Sequence, residues 1–227
     1  MNNLYIVSTP IGNLEDISKR ALSVFKKVDF IICEDTRHTL KLLNHYEIKK
    51  PLVSYHQHSK IGKIDKIIKK LSYGQSAALV SDAGTPGIAD PGGKLLEEIY
   101  NKLEDKVKVL TVPGSSALTA AVSVCGVPSD HFEFLGFLPH KKGRQKIFKK
   151  IANSDHTVIF FESPYRILKT LKSLSEYLDK ERKVVVCREM TKVHEEIVRG
   201  DINFIKNYFE NNKDKVKGEF VVLISGQ

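Results

Sequence analysis

The chain has 227 residues, 41% of them hydrophobic, and a formal net charge of +9. Its length fits one large domain or two compact domains, and its supply of apolar residues excludes an intrinsically disordered chain. The excess of Lys and Arg favours a polyanionic partner, because a positive surface attracts phosphates, although solvated surface lysines explain the charge equally simply.

No segment has the sequence of a targeting signal or a membrane span. Residues 1–8 lack the basic start and long apolar stretch of a signal peptide, and no apolar run approaches the roughly 20 residues that cross a bilayer. Cys33, Cys125 and Cys187 lie far apart among apolar residues without a C-x-x-C pair, which is typical of reduced core thiols. We therefore expect a cytosolic protein with no membrane contact.

Short apolar runs alternate with helix-period segments, a rhythm typical of βα units around mostly parallel sheets. Between residues 61 and 72, for example, Ile64, Ile67 and Leu71 fall on one helical face, and Gly74 follows. In the first half we predict strands 4–8, 29–34, 52–55, 77–81 and 107–112, and helices 18–27, 61–72, 94–103 and 116–124.

The second half repeats this rhythm without a Pro- or Ser-rich linker before it. The fold class is therefore α/β, with two α/β domains that we expect to pack closely. The division lies between Val112 and Asp130, and we set domain 1 at residues 1–116 and domain 2 at residues 117–227. Here we predict strands 132–136, 157–161, 183–187, 197–199 and 219–225, and helices 144–152, 166–178 and 202–209.

The strongest chemical signal is the loop Ser81–Gly93, which follows a predicted strand and precedes a helix. It holds four glycines and two prolines in thirteen residues. Glycines such as Gly84 and Gly87 permit positive φ angles and close approach of a ligand to the backbone, and Asp82 at the strand tip is a natural acceptor for a hydroxyl or amino group. A plain turn would not need so many glycines, so we predict cofactor binding here.

Two further loops end predicted strands of the first half. Ser8–Leu14 matches neither the dinucleotide-binding nor the P-loop pattern, and Val112–Ala117 offers the hydroxyls of Ser115 and Ser116 before a helix. Because open α/β sheets bind ligands at the carboxyl ends of their strands, we expect the three loops to converge on one pocket.

Charged residues follow two other predicted strands. In Glu34–Arg37, Arg37 either clamps a phosphate or forms an Arg–Glu pair that orders the turn. In Arg188–Lys192, a charged cluster either handles substrate or forms an ordinary exposed turn. His56 and His58 alternate along an extended segment, but no third ligand is implied, so we predict no metal site.

A basic run, residues 141–150, covers the start of the helix predicted at 144–152. Because Ile147 and Phe148 cannot both be exposed, we expect the basic side chains to lie on an outer surface that contacts RNA phosphates. The members of this surface are Lys142, Lys146, Lys149 and Lys150, and we expect replacement of Lys142, Arg144 and Lys146 to weaken RNA binding.

Seven segments together resemble the tetrapyrrole methylase superfamily, and within it the group that methylates small-subunit ribosomal RNA. They occur in order along nearly the whole chain, so the resemblance is more specific than any single motif. The segments are Ser8–Leu14, Glu34–Arg37, Ser81–Gly93, Val112–Ala117, Gly136–Pro139, Phe161–Arg166 and Arg188–Lys192.

This resemblance implies a homodimer of two-domain subunits that holds S-adenosylmethionine in a cleft between the domains. The implied reaction is methylation of a cytidine ribose 2′-hydroxyl in small-subunit ribosomal RNA, either naked or in the assembled 30S subunit. Ser59, where the family usually has Asn, and Tyr165, where it commonly has His, depart from the pattern, which weakens any role for them. By position, the cofactor site is lined by Pro10, Asp82, Ala83, Gly84, Thr85, Ser115, Ser116 and Phe161.

Methyl transfer to a ribose oxygen requires stabilisation of a developing alkoxide. Our catalytic candidates are Lys192, as a cationic stabiliser or as a base of lowered pKa, Glu189 as its partner, and Arg37 as a phosphate clamp. Two alternatives remain. A tetrapyrrole (corrinoid) carbon methyltransferase shares the fold and cofactor but does not need the basic run, and a non-catalytic RNA-binding module does not need the glycine-rich loop with Asp82.

Overall fold

A computed structural model of the chain describes residues 2–56, 61–90 and 92–227. The chain divides into two compact units, Met1–Ser116 and Ala117–Gln227. Each unit contains a five-stranded sheet together with helices, which confirms the α/β class. Among the described residues, no helix has the length and apolar character needed to cross a bilayer.

The sheet of the first unit is parallel throughout, as predicted. Its strand order is β3-β2-β4-β1-β5, so the carboxyl ends of all five strands lie at one edge. In chain order the elements are β1 (Asn2–Val7), α1 (Lys19–Lys27), β2 (Phe30–Cys33), α2 (Thr36–His45), β3 (Leu52–Ser54), α3 (Ile61–Ser72), β4 (Ala77–Leu79), α4 (Gly92–Leu103) and β5 (Val107–Val112).

Helices cover both faces of this sheet because its strands are apolar on both sides. Phe30 and Ile32 of β2 pack in one buried cluster with α3 and α4, whereas Ile31 and Cys33 pack in another with α1 and α2. Successive residues of a strand point to opposite faces, so four consecutive apolar residues serve two cores.

The helix α2 is absent from the sequence-based prediction. Asp35, which we interpreted only as part of a strand tip, is its N-cap and accepts a hydrogen bond from the Arg37 backbone N–H. Thr39 and Leu43 lie on the buried face of this helix. The bounds of α3 and β5 agree with those predicted, and α4 begins two residues early, at Gly92.

The second unit has a mixed sheet, so the prediction of mostly parallel sheets is wrong here. The order is β6-β7-β10-β8-β9, and β6–β7 is its parallel pair. The seven residues between β8 and β9 are too few for a parallel crossover. The elements are α5 (Ala117–Cys125), β6 (Phe132–Phe137), α6 (Arg144–Ala152), β7 (Thr157–Glu162), α7 (Ile167–Leu174), β8 (Val184–Arg188), β9 (Glu196–Gly200), α8 (Ile202–Asn211) and β10 (Phe220–Ile224).

The pairing of β10 decides which chain segments meet at the edge of this sheet. Because β10 runs antiparallel to both β7 and β8, the strands β6, β7 and β8 share one direction. The residues that follow them therefore lie at the same edge, next to the start of β10. All three cysteines are buried, and none forms a disulfide.

Candidate active site

The loops after β1 and β4 are joined by a short backbone bridge at the edge of the first sheet. The Thr9 N–H donates to the Gly84 carbonyl over 2.9 Å, and the Gly84 N–H donates to the Thr9 carbonyl over 3.1 Å. Gly84 has φ +82°, and a Cβ there would lie 3.2 Å from Ile11 Cγ2. The conformation thus favours glycine, and a side chain here would crowd Ile11. Pro10 and Ala83 flank the bridge.

Hydroxyl groups fasten the third predicted loop to the other two. Ser8 Oγ lies 2.8 Å from Thr85 Oγ1, which donates to the Ser115 carbonyl over 3.0 Å. Gly114 approaches so closely that a Cβ there would lie 3.1 Å from the Ser8 Cβ. The three loops therefore lie together, and the Thr85 hydroxyl holds them in place. Ser116 is buried and directly precedes α5.

Three carboxyl groups gather at this edge. Asp82 Oδ1 accepts the Asp35 N–H over 3.0 Å, and Asp90 Oδ1 accepts the N–H groups of Gly87 and Gly92 over 2.7 and 2.9 Å. Burial, reinforced by the charges of Asp82 and Asp90, raises the pKa of Glu34 to about 7. We call Glu34, Asp82 and Asp90 the carboxylate trio. The edge is therefore locally negative in a chain of net charge +9.

Sequence analysis gave Glu34 no role of its own, although a charged residue directly after a buried strand is a visible signal. The small cavity beside it has a volume of about 10 Å³, room for a single water, and is lined in part by Glu34, Tyr55 and Asp90. The Tyr55 hydroxyl is buried and has no hydrogen-bond partner among the described residues.

Arg37 lies at the start of α2 and pairs with Asp35. Its Nε and Nη2 atoms donate to the two Asp35 carboxylate oxygens over 3.1 and 2.7 Å. These hydrogen bonds hold the pKa of Asp35 well below its usual range. Arg37 therefore pairs with Asp35, and not with Glu34 as in the Arg–Glu pair considered from the sequence. With 88% of its side chain exposed, Arg37 is accessible to an incoming phosphate.

The histidine pair is only partly described. His56 follows β3, and His58 lies outside the described residues. Within the ranges that the structure describes, no three His, Cys, Asp or Glu side chains are grouped so as to hold a metal ion.

In the second unit, Lys192 is held between two carboxylates. Its Nζ lies 2.8 Å from Glu189 Oε1 and 3.0 Å from Glu219 Oε2. Burial by itself would lower the pKa of Lys192, but the hydrogen bonds to these carboxylates outweigh it, so the pKa is raised. Lys192 is therefore a cation at neutral pH, which favours its role as a cationic stabiliser over that of a neutral base.

The backbone around Lys192 is unusual. Glu189 and Thr191 have positive φ angles, +50° and +66°, and such strain in non-glycine residues clusters at functional sites. A Cβ at Gly218, which has φ +87°, would lie 2.2 Å from Glu189 Cδ. Arg188 is buried and donates to the carbonyls of Lys217 and His194 over 2.9 and 3.1 Å. Sequence analysis assigned no role to Gly218, which makes room for the Glu189 carboxylate.

Phe161 is the last residue but one of β7 in the second unit, whereas the other predicted cofactor residues belong to the first. Its ring lies edge-on to those of Phe134 and Phe137, with centroids 4.9 and 5.6 Å apart. The next residue, Glu162, has a fully buried carboxylate that pairs with Arg166 over 2.8 Å.

The basic side chains of residues 141–150 are exposed, except that of Arg144. Lys142, Lys146 and Lys149 lie on the surface as predicted, and Lys150 is also exposed but pairs with Glu133. Arg144 is only 9% exposed, so it does not share the outer surface on which these lysines lie. It turns inward because Glu162 offers it a buried ion pair and the Thr170 hydroxyl accepts a hydrogen bond from it.

Comparison with known proteins places these features in a family. Ribosomal RNA small subunit methyltransferase I of Thermotoga maritima is 46% identical over 227 residues, which is 100% of both chains. The protein of the same name from Synechocystis is 44% identical, and the alignment covers 100% of this chain and 80% of that protein.

A solved structure of uroporphyrin-III C-methyltransferase from Thermus thermophilus, complexed with S-adenyl homocysteine, has the same fold. Its TM-score is 0.64 at 16% identity, and the match covers 98% of this chain and 97% of that one. The sequence pattern of the Tetrapyrrole (Corrin/Porphyrin) Methylases matches residues 3–205. The chain therefore belongs to the tetrapyrrole methylase family.

Proposed function

We propose that this chain transfers a methyl group from S-adenosylmethionine to the ribose 2′-hydroxyl of a cytidine in small-subunit ribosomal RNA. Methyl transfer is the activity of the family, and relatives matching the whole chain are named ribosomal RNA small subunit methyltransferases. The choice of the ribose of a cytidine rests on the resemblance of the seven sequence segments. The observation that carries the proposal is the edge of the first sheet, where glycine-rich loops meet the carboxylate trio.

This edge fits a cationic cofactor. S-adenosylmethionine supplies an electrophilic methyl group on a positively charged sulfonium. The raised pKa of Glu34 reflects crowding of negative charge, which a cationic ligand relieves. The positive φ angles of Gly84 and Gly87 leave backbone open to close approach. The residues that would hold the cofactor are Pro10, Asp82, Ala83, Gly84, Thr85, Gly87, Ser115, Ser116 and Phe161.

Lys192 and Arg37 act on the acceptor. Alignment of a reacting hydroxyl is worth roughly 7–11 kcal/mol, but a ribose hydroxyl remains a poor nucleophile. Lys192 keeps its proton on Nζ and stabilises the negative charge that develops on the ribose oxygen. The hydroxyl proton passes to water as the new carbon–oxygen bond forms and the methyl–sulfur bond breaks. Glu189 orients Lys192 and preserves its charge. Arg37 positions a neighbouring phosphate through its planar guanidinium.

The substrate is a polyanion, which suits the net charge of +9. It is small-subunit ribosomal RNA, either naked or in the assembled 30S subunit, and the enzyme acts in the cytosol, where that RNA is made into ribosomes. The family resemblance further supports a homodimer, and light scattering that returned the mass of one chain at micromolar concentration would contradict it.

The test is methylation of ribosomal RNA from cells that lack this enzyme. The purified chain is incubated with methyl-labelled S-adenosylmethionine and either naked RNA or 30S subunits. A ribose 2′-O-methyl group blocks alkaline cleavage of the adjacent phosphodiester, so we expect one protected cytidine. Label on a base, label on a tetrapyrrole offered in parallel, or no label on any substrate would contradict the proposal.

A further inference from the structure

A positively charged cavity lies where α6 and α7 of the second unit approach each other. Its volume is about 510 Å³, within the range of pockets that hold small ligands. Lys141, Lys146 and Lys169 line it together with Arg144, and Glu176 is the acidic residue among the lining. We call this cavity the α6–α7 groove. Its net positive lining favours an anion.

Arg144 gives the α6–α7 groove a built, buried cation. Its Nη1 donates to the Pro139 carbonyl over 3.0 Å and its Nη2 to the Thr170 hydroxyl. The Arg144 Nε is buried and has no hydrogen-bond partner in the part of the chain that the structure describes. A buried donor without an acceptor is costly, and a ligand with acceptor oxygens would remove that cost.

The charges beneath the groove do not cancel. Glu162 lies 2.8 Å from the Arg166 guanidinium and 3.7 Å from that of Arg144, so two cations share one carboxylate. Burial lowers the pKa of Arg144, and the charge of Arg166 lowers it further against the opposing pull of Glu162. One positive charge is left over, and an anion in the groove would compensate it.

The start of α6 points to the same kind of ligand. Gly143, which also lines the groove, is the N-cap with φ +83° and offers no side chain to cap the helix. Backbone N–H groups at a helix N-terminus carry partial positive charge and bind phosphates. This terminus lies beside the unpartnered Arg144 Nε and three lysines.

We propose that the α6–α7 groove holds a backbone phosphate of the ribosomal RNA substrate. The inference rests on the proposed function. It narrows the RNA-contacting surface expected from the sequence, because it assigns a phosphate to Lys146 and none to Lys149. Lys146 on α6 and Lys169 on α7 line the groove, whereas Lys149 and Lys172, which are exposed on the same two helices, do not. A phosphate oxygen is the kind of acceptor that the Arg144 Nε lacks among the described residues.

The experiment compares Lys146→Gln/Lys169→Gln with the matched control Lys149→Gln/Lys172→Gln, since each pair removes two exposed charges from the same helices. Binding of a small-subunit ribosomal RNA transcript is measured across a salt series, and S-adenosylmethionine binding by calorimetry. Each phosphate contact to single-stranded RNA contributes about 0.7 to the slope of log affinity against log salt. We expect the groove pair to lower that slope by about 0.7, the contribution of one phosphate, and to weaken binding about 5-fold at 0.1 M salt, with unchanged cofactor affinity.

The results of this experiment distinguish failure of the phosphate site in the groove from failure of the proposed function. If the unaltered chain methylates RNA, two results would overturn the phosphate site in the groove and leave the proposed function standing. One is an equal loss of RNA affinity in both double variants, and the other is no loss in the groove pair. Failure of the unaltered chain to bind or methylate any ribosomal RNA would overturn both. Displacement of bound transcript by polyglutamate as readily as by RNA of equal charge would assign the groove to acidic proteins and overturn the inference.

Discussion

The edges of the two sheets are organised by different forces. At the first, backbone and hydroxyl hydrogen bonds such as Thr9–Gly84 and Ser8–Thr85 hold three loops together. At the second, ion pairs dominate, with Lys192 held between Glu189 and Glu219. The backbone contacts fix the shape of the first edge, whereas the ion pairs fix the electrostatic potential at the second.

This difference suits the proposed roles, cofactor binding at the first edge and stabilisation of the acceptor at the second. A preformed, glycine-lined edge suits a cofactor that must be bound in one pose, because little conformational entropy is then lost on binding. A charged, strained loop around Lys192 suits an acceptor whose charge changes during reaction, because prepositioned charges stabilise it without reorganisation. Variants of the two edges should therefore change different measured quantities.

The largest effect is expected for Lys192→Met. Removing a prepositioned cation that acts as charge develops should lower kcat about 100- to 1000-fold, while the dissociation constant for RNA changes about twofold or less. Single-turnover methylation and equilibrium RNA binding measure the two quantities separately. Lys213→Met, which removes an exposed lysine of the same unit, should leave both nearly unchanged.

A result in which Lys192→Met weakens RNA binding but leaves single-turnover methylation intact would contradict this role. Lys192→Arg offers a second check, because it keeps the charge between Glu189 and Glu219. It should recover part of the lost rate. Equal loss in the Met and Arg variants would indicate that the loop has lost its shape, so thermal unfolding is measured alongside.

The next largest effect is expected for Asp82→Asn. The amide oxygen can still accept the Asp35 N–H that Asp82 holds over 3.0 Å, so the loop should persist while the charge is lost. Hydrogen bonds to charged groups contribute about 1.5–3 kcal/mol, hence we expect S-adenosylmethionine affinity to fall about 10- to 100-fold by calorimetry. Asp105→Asn, at an exposed site before β5, is the control. Unchanged affinity in Asp82→Asn would place the cofactor elsewhere.

Local patterns predicted most of the secondary structure. The bounds of α3, α6 and β5 agree with the sequence because amphipathic spacing and flanking turn residues are contained within each segment. The loop after Ser81 was also predictable, since its glycines and its position after an apolar strand are adjacent in the chain. Convergence of the three loops followed from the general rule for parallel sheets.

Features that depend on distant partners were not predictable. Nothing in the sequence of β10 specifies that it inserts between β7 and β8, because strand periodicity encodes burial and not the neighbouring strand. Arg144 stands in a run of exposed lysines, and its burial depends on Glu162 and Thr170, 18 and 26 positions away. The raised pKa of Glu34 likewise depends on residues brought to it by folding.

The smallest effect is expected in the pH dependence of stability at Glu34. Burial and the charges of Asp82 and Asp90 raise its pKa from an ordinary 4.5 to about 7, so the folded chain binds this proton more tightly than the unfolded chain. The free energy of unfolding therefore falls as the pH rises from 4.5 to 7, and the loss is complete above about 7. At 1.36 kcal/mol per pKa unit the full shift would be worth about 3 kcal/mol.

Because Glu34 is partly exposed, solvent screening should reduce that loss to about 1–2 kcal/mol. Glu34→Gln carries no titrating proton, so it should match the unaltered chain near pH 4.5 and exceed its stability by this amount at pH 8, as measured by urea unfolding. Using the difference between the two proteins cancels the titration of histidines common to both.

Glu97→Gln, at an exposed site on α4, should give a difference that does not vary with pH. If Glu34→Gln also gives a flat difference, the carboxylate trio does not crowd charge, and the electrostatic argument for a cationic cofactor at the first edge loses its basis.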